Sequence, residues 1–99
     1  MLNIDKSIAE NALLKLTGRI DNTTASEFEK ATMEAVSAAN HLTFDFSGIE
    51  YVSSAALRVI LMAQKAMSRK GGMKLVNVSE TVMDVFEITG FADFLTIDN

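Results

Sequence analysis

Between His41 and Leu61 the spacing of apolar residues changes from two to nearly four, and this change restricts the possible folds more than any other feature of the chain. In HLTFDFSG, Leu42, Phe44 and Phe46 alternate with His41, Thr43, Asp45 and Ser47. That is the period of a pleated strand with one face covered. From Ala55 onward Leu57, Ile60, Leu61 and Met67 recur at helical intervals, and Arg69-Lys70-Gly71-Gly72 supplies a helix stop, cations near the carbonyl end followed by glycine. A strand that leads straight into a helix has to lay that helix back across the sheet, so the stretch predicts a βα unit.

The flanking segments extend the pattern. LNIDKSI alternates apolar and polar residues, and ALLKLTGRI places Ala12, Leu14 and Leu16 on one face, with Glu10 and Asn11 as turn residues between two antiparallel strands. Thr24-Ala25-Ser26-Glu27 has the form of a capping box, and Phe28, Thr32, Ala35 and Ala39 follow at helical spacing until Asn40 and His41 end the helix. MKLVNV reads as a strand, SETVMDVFEITG as a helix capped at Ser79 and stopped at Gly90, and FLTI as a short closing strand. The order β-β-α-β-α-β-α-β predicts one α/β domain over residues 1–99. Its sheet is expected to be mixed and five-stranded, opening with an antiparallel hairpin and carrying its helices mainly on one face. Met62, Met67, Met73 and Met83 fall within helix or strand patterns, where methionine fills gaps in a core.

Composition removes several function classes. Thirteen acidic against nine basic residues give a net charge of −4, the wrong sign for a nucleic-acid backbone. There is no cysteine and a single histidine, His41, which excludes thiolate metal sites and any histidine cluster, so no metal or cofactor is expected. A chain with no apolar run of about 18 residues and no basic leader is expected to be soluble and cytoplasmic, without membrane insertion.

Ser53 and Ser54 stand at the strand-to-helix junction. A serine nucleophile needs a base and a group to orient it. His41 belongs to the far end of the preceding strand, and no G-x-S-x-G turn surrounds either serine, so hydrolysis is disfavoured. One hydroxyl is accounted for as the helix N-cap. The other projects from the first turn, where unpaired N–H groups and the helix dipole would tolerate a phosphate.

The segments Leu16–Glu29, Leu42–Leu61 and Gly71–Phe91, with the closing strand, together resemble the STAS family, small domains of sulphate transporters and anti-sigma factor antagonists. The resemblance covers essentially the whole chain. It implies a non-enzymatic antagonist that binds an anti-sigma factor serine kinase when unphosphorylated and is released once Ser54 is phosphorylated, with a partner phosphatase resetting the serine. It further implies a partner-docking face made of Asp21, Asn22, Thr23, Ser53, Ser54, Ala55, Ala56 and Arg58. The family usually has glycine where this chain has Ala56, which puts a methyl group on the expected face. The alternative within the family is a STAS subunit of a transporter or signalling assembly that holds an ATPase or scaffold without a phosphate cycle.

Overall fold

The computed structural model describes residues 2–98, in which the chain forms β1 (Leu2–Ser7), β2 (Asn11–Ile20), α1 (Ala25–Ala38), β3 (His41–Val52), α2 (Ser54–Met67), β4 (Met73–Val76), α3 (Glu80–Thr89) and a single 3-10 turn at Phe91–Asp93. The strands make one sheet in the order β1-β2-β3-β4. β1 and β2 are an antiparallel hairpin, and β3 and β4 add in parallel, each after a helical crossover. Ala12, Leu14, Leu16, Leu42, Phe44, Phe46 and Leu75 all turn to the side where the helices lie and merge with Phe28, Ala35, Ile60, Ala63, Val82 and Phe86 in one buried cluster. Four rings run through it in sequence, Phe28, Phe44, Phe46 and Phe86, with centroids 5.7, 6.1 and 6.4 Å apart. These rings tie α1, β3 and α3 together. The alanines of α1 and α2 bring those two helices close to each other and to the sheet.

β3 is longer than its alternating stretch suggested. The strict alternation stops after Phe46, and the buried positions then become Ile49 and Val52. The register explains the change. Lys15 pairs with Asp45 but Thr17 with Gly48, and Gly18 pairs with Ile49 but Arg19 with Tyr51, so β3 carries one extra residue at each step. Such bulges let the strand change which side chains face inward without leaving the sheet. Gly48 makes the first one possible, because a Cβ there would lie 2.4 Å from Thr17 Cγ2 and 2.9 Å from its Cα. Asp45 braces the same region, accepting from the Ser47 N–H (2.9 Å) and from the Asn77 amide (3.2 Å). Partial burial works against its ionisation, but those donors, the Ser47 hydroxyl and the charge of Lys15 prevail and hold its pKa below the usual carboxylate range.

Four sequence expectations need correction. The sheet has four strands, not five. Asn77, with φ at +57°, turns the chain out of β4 after Val76, and residues 91–93 form the 3-10 turn. What remains of the expected closing strand is a one-residue parallel bridge between Leu75 and Ile97. Thr24 is the N-cap of α1, but its hydroxyl does not cap the helix; its φ and ψ of −112° and −6° point the oxygen back toward β2. Lys70 does not serve the carbonyl end of its own helix: its ammonium donates to the Val36 and Ala39 carbonyls at the end of α1, which would otherwise lack partners. Met67 and Met73 are core residues as expected, whereas Met62 is 38% exposed. Glu10 stands in the hairpin turn as expected, but Asn11 already belongs to β2, and the signals of α3 hold. Ser79 Oγ accepts from the Val82 N–H (3.3 Å) and Gly90 stops α3 with φ at +83°.

Candidate partner-docking site

The strand register decides what surrounds the two serines. Ile20, the last residue of β2, pairs with Val52, the last of β3, and the Ser53 N–H donates to the Ile20 carbonyl at 2.8 Å. The exit from β2 and the entry to α2 are therefore neighbours at one edge of the sheet. His41 lies at the other end of β3, roughly 30 Å of strand away, and cannot act as a base for either hydroxyl.

Ser53 is extended (φ −90°, ψ 171°), and its Oγ accepts from the Ala56 N–H at 3.3 Å, so it is the cap. It is also 7% exposed, and Ala56 is completely buried. Neither presents a surface to a partner, which corrects the expectation that both would lie on the docking face. The methyl group of Ala56 packs into the core, where it cannot obstruct an approaching protein. Ser54 is the first helical residue and is exposed. Its hydroxyl is not needed for the cap, and the first turn of α2 contains no acidic residue. Arg58, one turn further on, is exposed, while Ala55 is half-buried.

The turn after β2 is organised by Asp21. Its Oδ1 accepts from the Thr23 N–H (2.9 Å), the Thr23 hydroxyl (2.6 Å) and the Thr24 N–H (3.2 Å). The Thr23 and Thr24 amides that lead into α1 are thus met by an aspartate three residues upstream of the cap, and the expected capping box is not formed by the Thr24 hydroxyl. Thr24 Oγ1 instead donates to the Arg19 carbonyl (2.9 Å) and accepts from the Asp21 N–H (2.9 Å), closing the turn onto the strand. The Thr23 hydroxyl and N–H, aided by Thr24 and only partly opposed by desolvation, hold the Asp21 carboxyl below its ordinary pKa. Asn22 and Thr23 are exposed at the tip.

Two residues at this edge had no signal in the sequence. Arg19 lays its guanidinium 4.5 Å from the centroid of the Tyr51 ring, and its Nε is 3.8 Å from Asp21 Oδ2. The two face one another because the second bulge pairs Arg19 with Tyr51. Such an exposed ion pair adds little to stability. The contact with the ring nevertheless fixes where the cation stands.

Two measurements follow from this geometry. Ser53→Ala removes the cap and should cost about 1 kcal/mol in urea unfolding, with the slope of the transition unchanged. No loss would mean that another group caps α2. Asp21 and Asp45 both have folded pKa values below their unfolded ones. The stability they contribute is complete above a pH of about 4 and is lost as the pH falls through their folded values. A double variant, Asp21→Asn with Asp45→Asn, should flatten the acid limb of the stability–pH curve, and an unchanged limb would assign it to other carboxylates.

Comparison with known proteins fits this architecture. The STAS domain pattern matches residues 3–99. The anti-sigma-B factor antagonist of Bacillus subtilis is 28% identical over 98 residues, covering 97% of this chain and 90% of that protein. An anti-sigma factor antagonist from Mycobacterium paratuberculosis superposes with a TM-score of 0.88 at 18% identity, over 98% of this chain and 85% of that one. The Bacillus cell fate determinant SpoIIAA in its phosphorylated form superposes with a TM-score of 0.72 at 17% identity, over 100% of this chain and 92% of that one. With the family pattern spanning nearly the whole sequence and the same fold in the solved relatives, the chain belongs to the STAS domain family.

Proposed function

We propose that this protein is an anti-sigma factor antagonist working by partner switching: unphosphorylated, it occupies a serine-kinase anti-sigma factor and frees the regulator that factor holds. Phosphorylation of Ser54 releases it, and a phosphatase resets it. The observation that supports this most directly is the division of labour between the two serines. Ser53 is buried and spent on the cap, while Ser54 is exposed on the first turn of α2 beside the Asp21 turn. The named functions of the relatives support the same reading.

The docking surface consists of Ser54, Ala55 and Arg58 from α2 and Asp21, Asn22 and Thr23 from the turn, with Arg19 and Tyr51 alongside. A neutral hydroxyl at its centre costs little to desolvate. A phosphate there brings ~1.5 to 2 negative charges into a contact shaped for none. The protein supplies only the acceptor oxygen; ATP and magnesium belong to the kinase. Calorimetric titration of the chain into the purified kinase should give a saturable complex, weakened about tenfold or more by Asp21→Ala or Arg58→Glu. Undiminished affinity in both variants would remove this surface from the interface and the reading with it.

A further inference from the structure

The two edges of the sheet are unequal. The outer side of β4 is occupied by the chain's own segment 96–98: the Leu75 N–H donates to the Thr96 carbonyl and the Leu75 carbonyl accepts from the Asp98 N–H, both at 2.9 Å. At the other edge stands β1, and among the described residues no strand lies beyond it. β1 has six residues and no proline, so every second residue directs an N–H and a C=O away from β2, a row able to pair with another strand. The edge is not screened in the usual way. Lys6, the cation that could project across it, is drawn back onto Glu34 of α1. Beside it runs an open groove lined by Leu2, Ile4, Lys6, Glu27, Lys30 and Ala31. With Glu34 this rim holds two lysines and two glutamates, so it has no net charge to repel a like surface.

We infer that β1 pairs antiparallel with β1 of a second copy of this chain, about a two-fold axis at Ile4, to give a continuous eight-stranded sheet. Because the β4 edge is occupied, edge-to-edge association can only be self-complementary, and it closes at two copies without growing into a fibre. Side-chain chemistry selects the register. With the axis at Ile4, Leu2 lies opposite Lys6 of the second copy and Asn3 opposite its Asp5. This makes five pairs with the helices of both copies on one side and no like charges opposed. A shift of one residue along the strand, placing the axis at Asp5, sets two aspartates face to face, which disfavours it. Moving the axis to Asn3 leaves only three pairs within the described residues of β1. Alignments that set Ile4 opposite Asp5 would turn the helices of the second copy to the other face. The two strands run in opposite directions, so the Ser54 edges point away from one another and both remain open to partners. The inference does not depend on how Ser54 is used.

Sedimentation equilibrium over rising concentration tests it. The wild-type mass should climb toward that of two chains. Ile4→Lys, which sets two ammonium groups on the axis, should raise the dimer dissociation constant about tenfold or more. Asn3→Asp should do the same by opposing Asp5 of the second copy, and Asp5→Asn added to it should restore dimerisation. The last two changes are on exposed positions, so they decide the matter even if Ile4→Lys disturbs the fold, which circular dichroism would show. A mass that stays monomeric up to near-millimolar concentration overturns the inference. So does a dimer that ignores Asn3→Asp, or one that the added Asp5→Asn fails to restore.

Discussion

Ser54→Ala should take up no phosphate from the proposed serine-kinase anti-sigma factor and ATP while still binding that kinase, whereas the wild-type chain should take up one. The substitution removes only the acceptor oxygen from an exposed first-turn position, and the Ser53 cap stays in place. Ser54→Asp places a permanent anion on the same spot and should weaken the complex about tenfold or more, since a charge brought into an interface without a counter-charge loses its hydration uncompensated. Mass spectrometry of the phosphorylated chain and titration calorimetry of both variants provide the readouts. Phosphate on Ser53, or a phosphorylated chain that binds as well as the unmodified one, would refute the switch. Ser53 makes a demanding control, because its hydroxyl is buried and already accepts from the Ala56 N–H.

Phe44→Ala should produce the largest loss of stability, about 3–5 kcal/mol. The Phe44 ring is completely buried and sits between Phe28 of α1 and Phe46 on its own strand, so its removal opens a cavity where α1 meets the sheet. Against a total of about 5–15 kcal/mol this is a large fraction, and the melting temperature should fall by roughly 15–30 °C. Urea unfolding of wild type and variant measures it directly. A loss below about 1 kcal/mol would mean that the chain of rings does not join helix and sheet as described. Partner binding should persist at low temperature, because five β3 pairs and two bulges separate Phe44 from Ser53.

The local signals were legible where a single segment contains both halves of the interaction. Ser53 and Ser79 cap their helices through N–H groups three residues on, and Gly90 ends α3 by entering the left-handed region. The buried faces of β2, α1 and the first half of β3 follow directly from residue spacing, since burial on one side of a regular element imposes the period. The capping box of α1 fits the same residue types and yet is not used. Asp21 takes the Thr24 N–H from upstream, where the turn leaving β2 puts it within reach, and the Thr24 hydroxyl is spent on the Arg19 carbonyl.

What the sequence by itself determined is therefore the three helices and the first four strands, the caps at Ser53 and Ser79 and most of the inward residues, all products of contacts a few positions apart. The tertiary structure alone decided how β2 and β3 line up. The two extra residues in β3, the first admitted by the bare backbone of Gly48, bring Ile20 level with Val52, Arg19 against Tyr51 and the Asp21 turn beside Ser53. It also decided that Lys70 would complete α1 and that the closing segment would meet β4 at a single residue. Each of these depends on groups far apart in the chain, and their pairing is set by how the whole sheet packs beneath its helices, which no periodicity within one segment encodes.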